Sequence, residues 1–418
     1  MRKYLDILIW TGILCLIIAL GSIAAEQPVH QWTPQEKEIL KSLWIDSLPP
    51  MPSDYSNKYA EDLKAVALGR KFFFDSRFSG NMKVSCATCH PENMNFADNL
   101  PRAHGMGTTK RRTMPLIGVA YSPWLFWDGR KDSLWAQALG PIESPVEHGF
   151  SRTQVVVVIK KYYQKEYERV FGPLPEIDED HLPLKAKPSQ EEPVALKAWV
   201  NLPEKTRKAI NQVYVNFGKA IGAFVRTMMP TPSRFDRYVE ALLKGDIDRA
   251  SRILTPEEVN GLRLFIGKAR CLNCHNGPMF TDYDFHNIVV QQPSDLPIDN
   301  GRADGIVQVL TDEFNCLGPY SDAIPRQCRH LRFMSTDVVR YKGAFKTPTL
   351  RNVAERAPYM HAGQFSTLHK VLHFYRDMPR DVRTPELEHG SLTDEELSYL
   401  EAFLKTLSSP PKVYKEGL

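Results

Sequence analysis

The chain has 418 residues, 43% hydrophobic and 24% charged, a globular balance that excludes collagen-like, low-complexity and wholly disordered polymers. Its length suggests two or three domains, each able to bury a core. Lys+Arg 53 against Asp+Glu 49 leave a net charge of +4, too little to argue for nucleic acid, while 31 prolines and 24 glycines predict many turns and short helices.

In chain order, Arg2 and Lys3 precede an apolar run from Ile7 to Leu20, followed by Gly21, Ser22, Ala24 and Ala25. This is the pattern of a secretory signal over residues 1–25, cleaved after Ala24 or Ala25. The competing reading is an uncleaved N-terminal anchor, because the run is near the lower length limit for a span. Both readings export the rest of the chain, and a periplasmic location is expected. No other run is long enough to cross a bilayer, which excludes a polytopic membrane protein. Cys15 lacks a small residue before it, which argues against a lipoprotein anchor.

Residues 26–58 form a Pro-rich, polar extension with one helical patch at Pro34–Trp44. A first domain is expected over 59–235. Within it Asp62–Phe72 has helical spacing, Val155–Ile159 is the one strand-like run, and Lys205–Met229 reads as an amphipathic helix. Residues 172–192 are rich in Pro and charge and read as a surface insertion or linker. A second domain is expected over 236–410, opening on a helix with Thr255 as N-cap and Pro256 at its first position. Residues 290–340 read as loop, and Thr393 caps a last helix running to about Leu407, before a tail at 411–418.

The seven cysteines fall into three groups: Cys15, two C-x-x-C-H motifs, and the pair Cys316 and Cys328. In an oxidising compartment the last pair is expected to form a disulfide; a redox-active pair is the alternative, without a C-x-x-C site nearby to support it. The motifs are Cys86-Ala87-Thr88-Cys89-His90 and Cys271-Leu272-Asn273-Cys274-His275. C-x-x-C-H is the attachment signal for c-type haem. Two thiols three residues apart sit on one turn and can each form a thioether to a haem vinyl group, and the adjacent histidine becomes the proximal iron ligand. Zinc is the main rival for paired C-x-x-C motifs, but here each pair carries its own histidine and the pairs lie far apart. A thioredoxin-like dithiol needs a βαβ context that is absent. Both halves share a plan of capped helix, C-x-x-C-H, long loop and later helix. The expected fold is mainly α: two cytochrome c-like domains, each with one covalent haem.

From about residue 60 to 408 the chain resembles the bacterial di-haem cytochrome c peroxidases, including the MauG-type enzymes. The resemblance is carried in the first half by Leu68-Gly69-Arg70, Phe73, Asp75, Arg77-Phe78-Ser79-Gly80, Ser85–His90, Phe126–Arg130, Gln137, Pro141 and Glu147. In the second half it is carried by Cys271–His275, Gly277-Pro278, Phe280-Thr281-Asp282, Phe345–Pro348, Leu350–Val353 and Ala357-Pro358-Tyr359. The resemblance implies two haems facing across the interdomain interface. It implies Glu147 as the distal acid–base catalyst, Gln137 to orient peroxide, Pro141 to line the pocket and Trp127 as an electron relay between the haems. It implies His90 and His275 as proximal ligands and Tyr375 as the sixth ligand of the second iron, where the peroxidase branch uses Met and MauG uses Tyr. His373, Met360 and Met378 are the rival ligands. His104 falls at the position of a histidine that caps the first iron at rest. The resemblance also implies a calcium ion between the domains, which carbonyls and waters can hold; against it, the family's Asn ligand position is Thr113 here and a carbonyl-donor position is Arg356, whose cation opposes Ca²⁺.

The expected function is a periplasmic di-haem peroxidase. It reduces hydrogen peroxide with electrons from a cytochrome c or cupredoxin. A MauG-like enzyme that oxidatively modifies a partner protein uses the same site. A plain electron-transfer cytochrome is the rival from another class, but it needs neither an open iron nor a distal glutamate. A homodimer is compatible with the resemblance, and no nucleic-acid partner is expected.

Overall fold

In a computed structural model the residues described are 29–178, 181–379, 387–388 and 390–414. The proposed signal or anchor, with Cys15, lies outside them. Among the described residues no helix is long and apolar enough to cross a membrane.

The fold is mainly helical, and its two cores are organised by the same device used twice. The first is the helix Leu63–Phe74, started by Asp62, whose carboxylate accepts from the amides of Lys64 and Ala65. It buries Ala65, Leu68, Gly69 and Phe72, a single face at helical spacing. That face crosses the helix Glu204–Val225 so closely that a Cβ on Gly69 would lie 1.8 Å from the Ala220 carbonyl oxygen. The second is the helix Pro256–Ile266, closed by a Thr255–Glu258 capping box. It crosses the helix Asp394–Lys405, where a Cβ on Gly261 would lie 1.9 Å from the Tyr399 carbonyl oxygen. Each crossing sits just ahead of a C-x-x-C-H motif and fixes where that motif begins. Gly261→Ala is therefore expected to force the helices apart and to cost about 1–3 kcal/mol as overpacking, read as a lower denaturation midpoint.

The helix expected at Pro34–Trp44 spans Pro34–Leu43. Leu40 and Leu43 pack, with Trp32, into the second core rather than the first. The helix expected at Lys205–Met229 spans Glu204–Val225. Three expectations change. Val155–Ile159 is not a strand but lies inside the helix Arg152–Phe171, because Ser151 caps its start and Val155, Val156 and Ile159 pack into the first core. Residues 290–340 are not all loop: they hold the helix Arg302–Thr311, a short helix Arg329–Phe333 and the Cys316–Cys328 disulfide. The 172–192 segment is more than a solvated linker, since Ile177, Leu182 and Ala186 are buried in the first core. Lys187 also donates to the Glu143 carbonyl at 2.7 Å.

The two halves are strapped together. Phe314 leaves the second half and packs beside Trp135 and Tyr214 of the first core. Buried Arg152 pairs with Glu143 of its own half and with Glu313 of the other, each at 2.9 Å. Arg111 pairs with Asp299 at 2.7 Å. The two-residue strands Phe285–His286 and Phe345–Lys346 run antiparallel.

Candidate active site

Each C-x-x-C-H motif opens onto its own cavity. His90 and His275 are set in the same way. His90 Nδ1 lies 2.9 Å from the Phe96 carbonyl oxygen, and His275 Nδ1 lies 3.0 Å from the Phe280 carbonyl oxygen. A carbonyl only accepts, so Nδ1 carries the proton and the Nε2 lone pair is left able to ligate a metal. Phe96 and Phe280 are both fully buried, at φ +55° and +52°. None of the four motif cysteines is in a disulfide. Burial pushes the Cys86 and Cys271 thiols up to about 12, so no thiolate is stabilised of the kind a reactive dithiol requires. These features fit one haem in each cavity. A zinc site drawing on both pairs does not fit, since they face different cavities.

The first cavity is lined by Cys89, His90, Gln137, Pro141, Glu147 and Trp127. The helix Leu134–Glu143 explains part of this. Ser133 caps it, and Gln137 and Pro141, four residues apart, share a face. Beyond the helix the chain turns back, with the Gly149 amide donating to Ser144 at 2.8 Å and the His148 amide donating to Pro141 at 3.1 Å. This return swings Glu147 over the same face. The Glu147 carbonyl accepts from the Met106 amide at 2.9 Å. Burial raises the Glu147 pKa; Arg130 and a hydrogen bond from Ser144 oppose the rise only in part.

The second cavity is lined mainly by apolar residues around Cys271, Cys274 and His275. The helix Leu368–Asp377 presents Leu368, Leu372 and Tyr375 to it, at i, i+4 and i+7. Burial pushes the Tyr375 phenol well above its ordinary range. Of the rival ligands, Met360 also lines this cavity. His373 does not: it faces Arg376 at 2.8 Å and Asp377 at 3.4 Å. Met378 is buried outside the lining.

Trp127 lines both cavities. Its indole donates to the Arg112 carbonyl at 3.0 Å, and its own carbonyl accepts from the Lys346 amide at 2.8 Å. The loop that carries it is closed by the Leu125 amide donating to Lys131 at 2.9 Å. Gly129, at φ +66°, lets Phe285 and Arg302 pack against this loop. Three side chains given no role from the sequence also stand here. Lys346 and His361 line both cavities; burial brings the lysine down to about 8 and the histidine to about 4. Arg130 lines the first cavity, 3.5 Å over the Phe126 ring. The signal for Lys346 and Arg130 was their place inside quoted motifs.

His104 is exposed and outside both linings, its Nδ1 3.1 Å from Thr108 Oγ1. Around Thr113 and Arg356 the carbonyls are taken by guanidinium donors. Arg112 donates to Arg356 at 2.6 Å and to Asp98 at 3.1 Å. Arg356 donates to Thr349, Arg351 and Asn352. Two buried cations on these carbonyls do not fit a calcium ion.

Residues 63–243 match the family described as di-haem cytochrome c peroxidase. The chain is 31% identical over 355 residues to the methylamine utilization protein MauG of Methylorubrum extorquens, covering 83% of this chain and 78% of that protein. It is 30% identical over 303 residues to the cytochrome c551 peroxidase of Pseudomonas aeruginosa, covering 71% and 67%. In fold it is similar to the diheme peroxidase BthA from Burkholderia thailandensis, with TM-score 0.62, 24% identity and coverage of 86% and 89%. Identity of 31% over more than three quarters of both chains means that the chain belongs to the di-haem cytochrome c peroxidase and MauG family of haem-dependent oxidoreductases.

Proposed function

We propose that this chain is a periplasmic di-haem c-type peroxidase that reduces hydrogen peroxide to water with electrons from a small redox protein. The observation that supports it best is convergence: Glu147, Gln137 and Pro141 meet in the cavity of His90, and Trp127 lines this cavity and the next. Cys86 and Cys89, and Cys271 and Cys274, would hold the haems by thioethers, and the haem iron would supply the redox chemistry for O–O cleavage. One peroxide takes two electrons and two protons and gives two waters. Glu147 accepts the proton of the nearer oxygen and returns it to the departing one. Its raised pKa brings it towards the operating pH, where a group can do both. The Gln137 amide orients the peroxide, and Trp127 passes oxidising equivalents to the second haem domain, taken as 236–410. The first, peroxidatic domain is taken as 59–235. His104 would reach the first iron only if the loop Ala103–Gly107 carried it inward.

Tyr375, which lines the second cavity, would serve as the second iron's oxygen ligand. Apolar burial holds its phenol protonated, and a bound iron reverses that preference, because a coordinating cation stabilises the anion. Hard phenolate oxygen favours oxidised iron. Tyr375→Phe is expected to change the low-spin signature of the second haem and raise its potential, with the first haem's spectrum intact. An unchanged spectrum, with a change on Met360→Leu instead, would assign the ligand to Met360.

The experiment that tests the function pairs a mass with an assay. The exported protein should exceed its polypeptide by two haem masses and oxidise a reduced cytochrome c only when peroxide is present. One haem, or a zinc ion, contradicts the reading. A second reading is supported by Tyr375 and by the similarity to MauG: the same site oxidising a partner protein's side chain. A covalent mass change in a co-expressed partner, without peroxide-dependent cytochrome oxidation, would favour it.

A further inference from the structure

The chain's positive charge is not spread evenly. Between residues 324 and 343 stand Arg326, Arg329, Arg332, Arg340 and Lys342 against one carboxylate, Asp337. That stretch alone carries +4, equal to the net charge of the whole chain. All five cations are exposed, and among the described residues none is in a salt bridge. Two large apolar side chains stand out among them, Phe333 at 75% and Val339 at 84% exposure. Exposed apolar side chains interspersed along a segment with unpaired charge of one sign are the make-up of a protein–protein docking surface.

The surface is firmly mounted. The Cys316–Cys328 disulfide closes its base, and Leu331 is buried with Trp124 and Phe285. Behind it Arg302 lies 4.3 Å over the Trp124 ring and 4.2 Å over the Phe285 ring, and donates to the Gly129 carbonyl at 2.7 Å. Tyr341, at the edge of the patch, is 6.4 Å from Phe285, centroid to centroid. The next residue, His286, lines the second haem cavity. Across the strand pair, Lys346 lines both cavities. The segment therefore packs through Tyr341 on the strand pair whose His286 and Lys346 line the cavities, and Arg302 links that strand pair to the loop of Trp127.

We propose that the 324–343 segment is the docking surface for the acidic face of a small one-electron donor protein. This rests on the peroxidase reading, in which two donors each give up one electron and two protons are taken up for every peroxide converted to two waters. Charge complementarity selects the partner. A cationic patch raises the encounter rate of an acidic protein by about 10–10³-fold and loses that advantage in salt. Phe333 and Val339 supply the desolvated contact that slows dissociation.

The test uses the haem-loaded protein, its R329E/R332E/R340E variant and the milder R329Q/R332Q/R340Q variant. Donors are a reduced cytochrome c of negative net charge, one of positive net charge, and hydroquinone, which is neutral and small. For the acidic cytochrome, charge reversal should lower kcat/KM at least about 10-fold at low ionic strength, with the neutral variant between. The difference should shrink towards unity in high salt. The basic cytochrome should not lose rate, and hydroquinone should be unchanged, which shows the variants folded and active. F333S/V339S should raise KM for the acidic donor without changing the salt slope. Wild-type kcat/KM and salt slope in the charge-reversed protein would overturn the proposal. So would an equal loss with hydroquinone, or variant-sensitive binding to anionic lipid vesicles with the acidic donor unaffected. If the wild-type protein consumes no peroxide with any donor, it is the peroxidase reading that fails. Docking is then read from the Kd of the acidic cytochrome, which must still weaken with salt and on charge reversal.

Discussion

Glu147→Gln is expected to cut peroxide turnover by about 10²–10⁴-fold, the usual worth of a positioned general acid–base, while both haems remain attached. The amide keeps the shape of the carboxylate, so the turn from Ser144 to Gly149, held by backbone hydrogen bonds, should survive. It cannot take up and return a proton. The loss should fall on peroxide cleavage and not on reduction of either haem by a donor. The pH profile gives an independent signature. Burial raises the Glu147 pKa, and the group must be ionised to accept the first proton. Wild-type kcat/KM for peroxide should therefore rise with pH through a limb above the range of an exposed glutamate, and the variant should lack that limb. Trp127→Phe should behave differently. Its indole bridges the two cavities, so peroxide should still react at the first haem while oxidation of the second slows. Chemistry and relay are thereby separated.

The second large effect is structural. Asp236 and Arg351 form an ion pair at 2.7 Å with side chains 0% and 1% exposed. Asp236 also accepts from the amides of Ile45 and Ser233. Arg351 reaches the carbonyls of Leu43 and Pro278. The pair thus ties the N-terminal helix, the helix Arg234–Leu243 and the turn after the second C-x-x-C-H motif. Asp236→Asn leaves a guanidinium buried without its counter-charge, and breaking such a pair costs about 3–5 kcal/mol. Denaturant unfolding of the haem-loaded protein should show it. Burial alone would raise the Asp236 pKa, but Arg351 and Ser233 outweigh it and hold the carboxyl below its ordinary value. With the folded pKa depressed, its contribution is complete above the unfolded value of about 3.9 and is lost as pH falls through the folded one. The variant should have a flatter acid limb.

What the sequence made legible was local chemistry. C-x-x-C-H fixes two thiols and an imidazole within five residues, so both cavities could be anticipated. Capping residues such as Thr255 and Thr393 marked helix starts within a residue. Val155–Ile159 misled because a β-branched run has strand character by itself, whereas its helix is stabilised by packing against the first core. His361 had no local signal: it comes from the second half and reaches a cavity of the first, a contact that no periodicity encodes. That His373 turns away from the second cavity was partly legible. Leu368, Leu372 and Tyr375 share a helical face that His373 leaves. Met360 depends on a turn at φ +68° that only the fold reveals. Likewise, His104 fits a sequence offset, but its exposed position depends on the turn closed by its bridge to Thr108.

The most direct test of the central claim is a stoichiometry. The two-haem protein is mixed with a limiting amount of hydrogen peroxide and an excess of reduced acidic cytochrome c, and oxidised cytochrome is counted. A peroxidase working through Glu147 and Trp127 should oxidise two cytochromes per peroxide, and Glu147→Gln should oxidise almost none on the same timescale. Peroxide left unconsumed by the wild-type protein, or consumed equally fast by the Glu147→Gln protein, would contradict it.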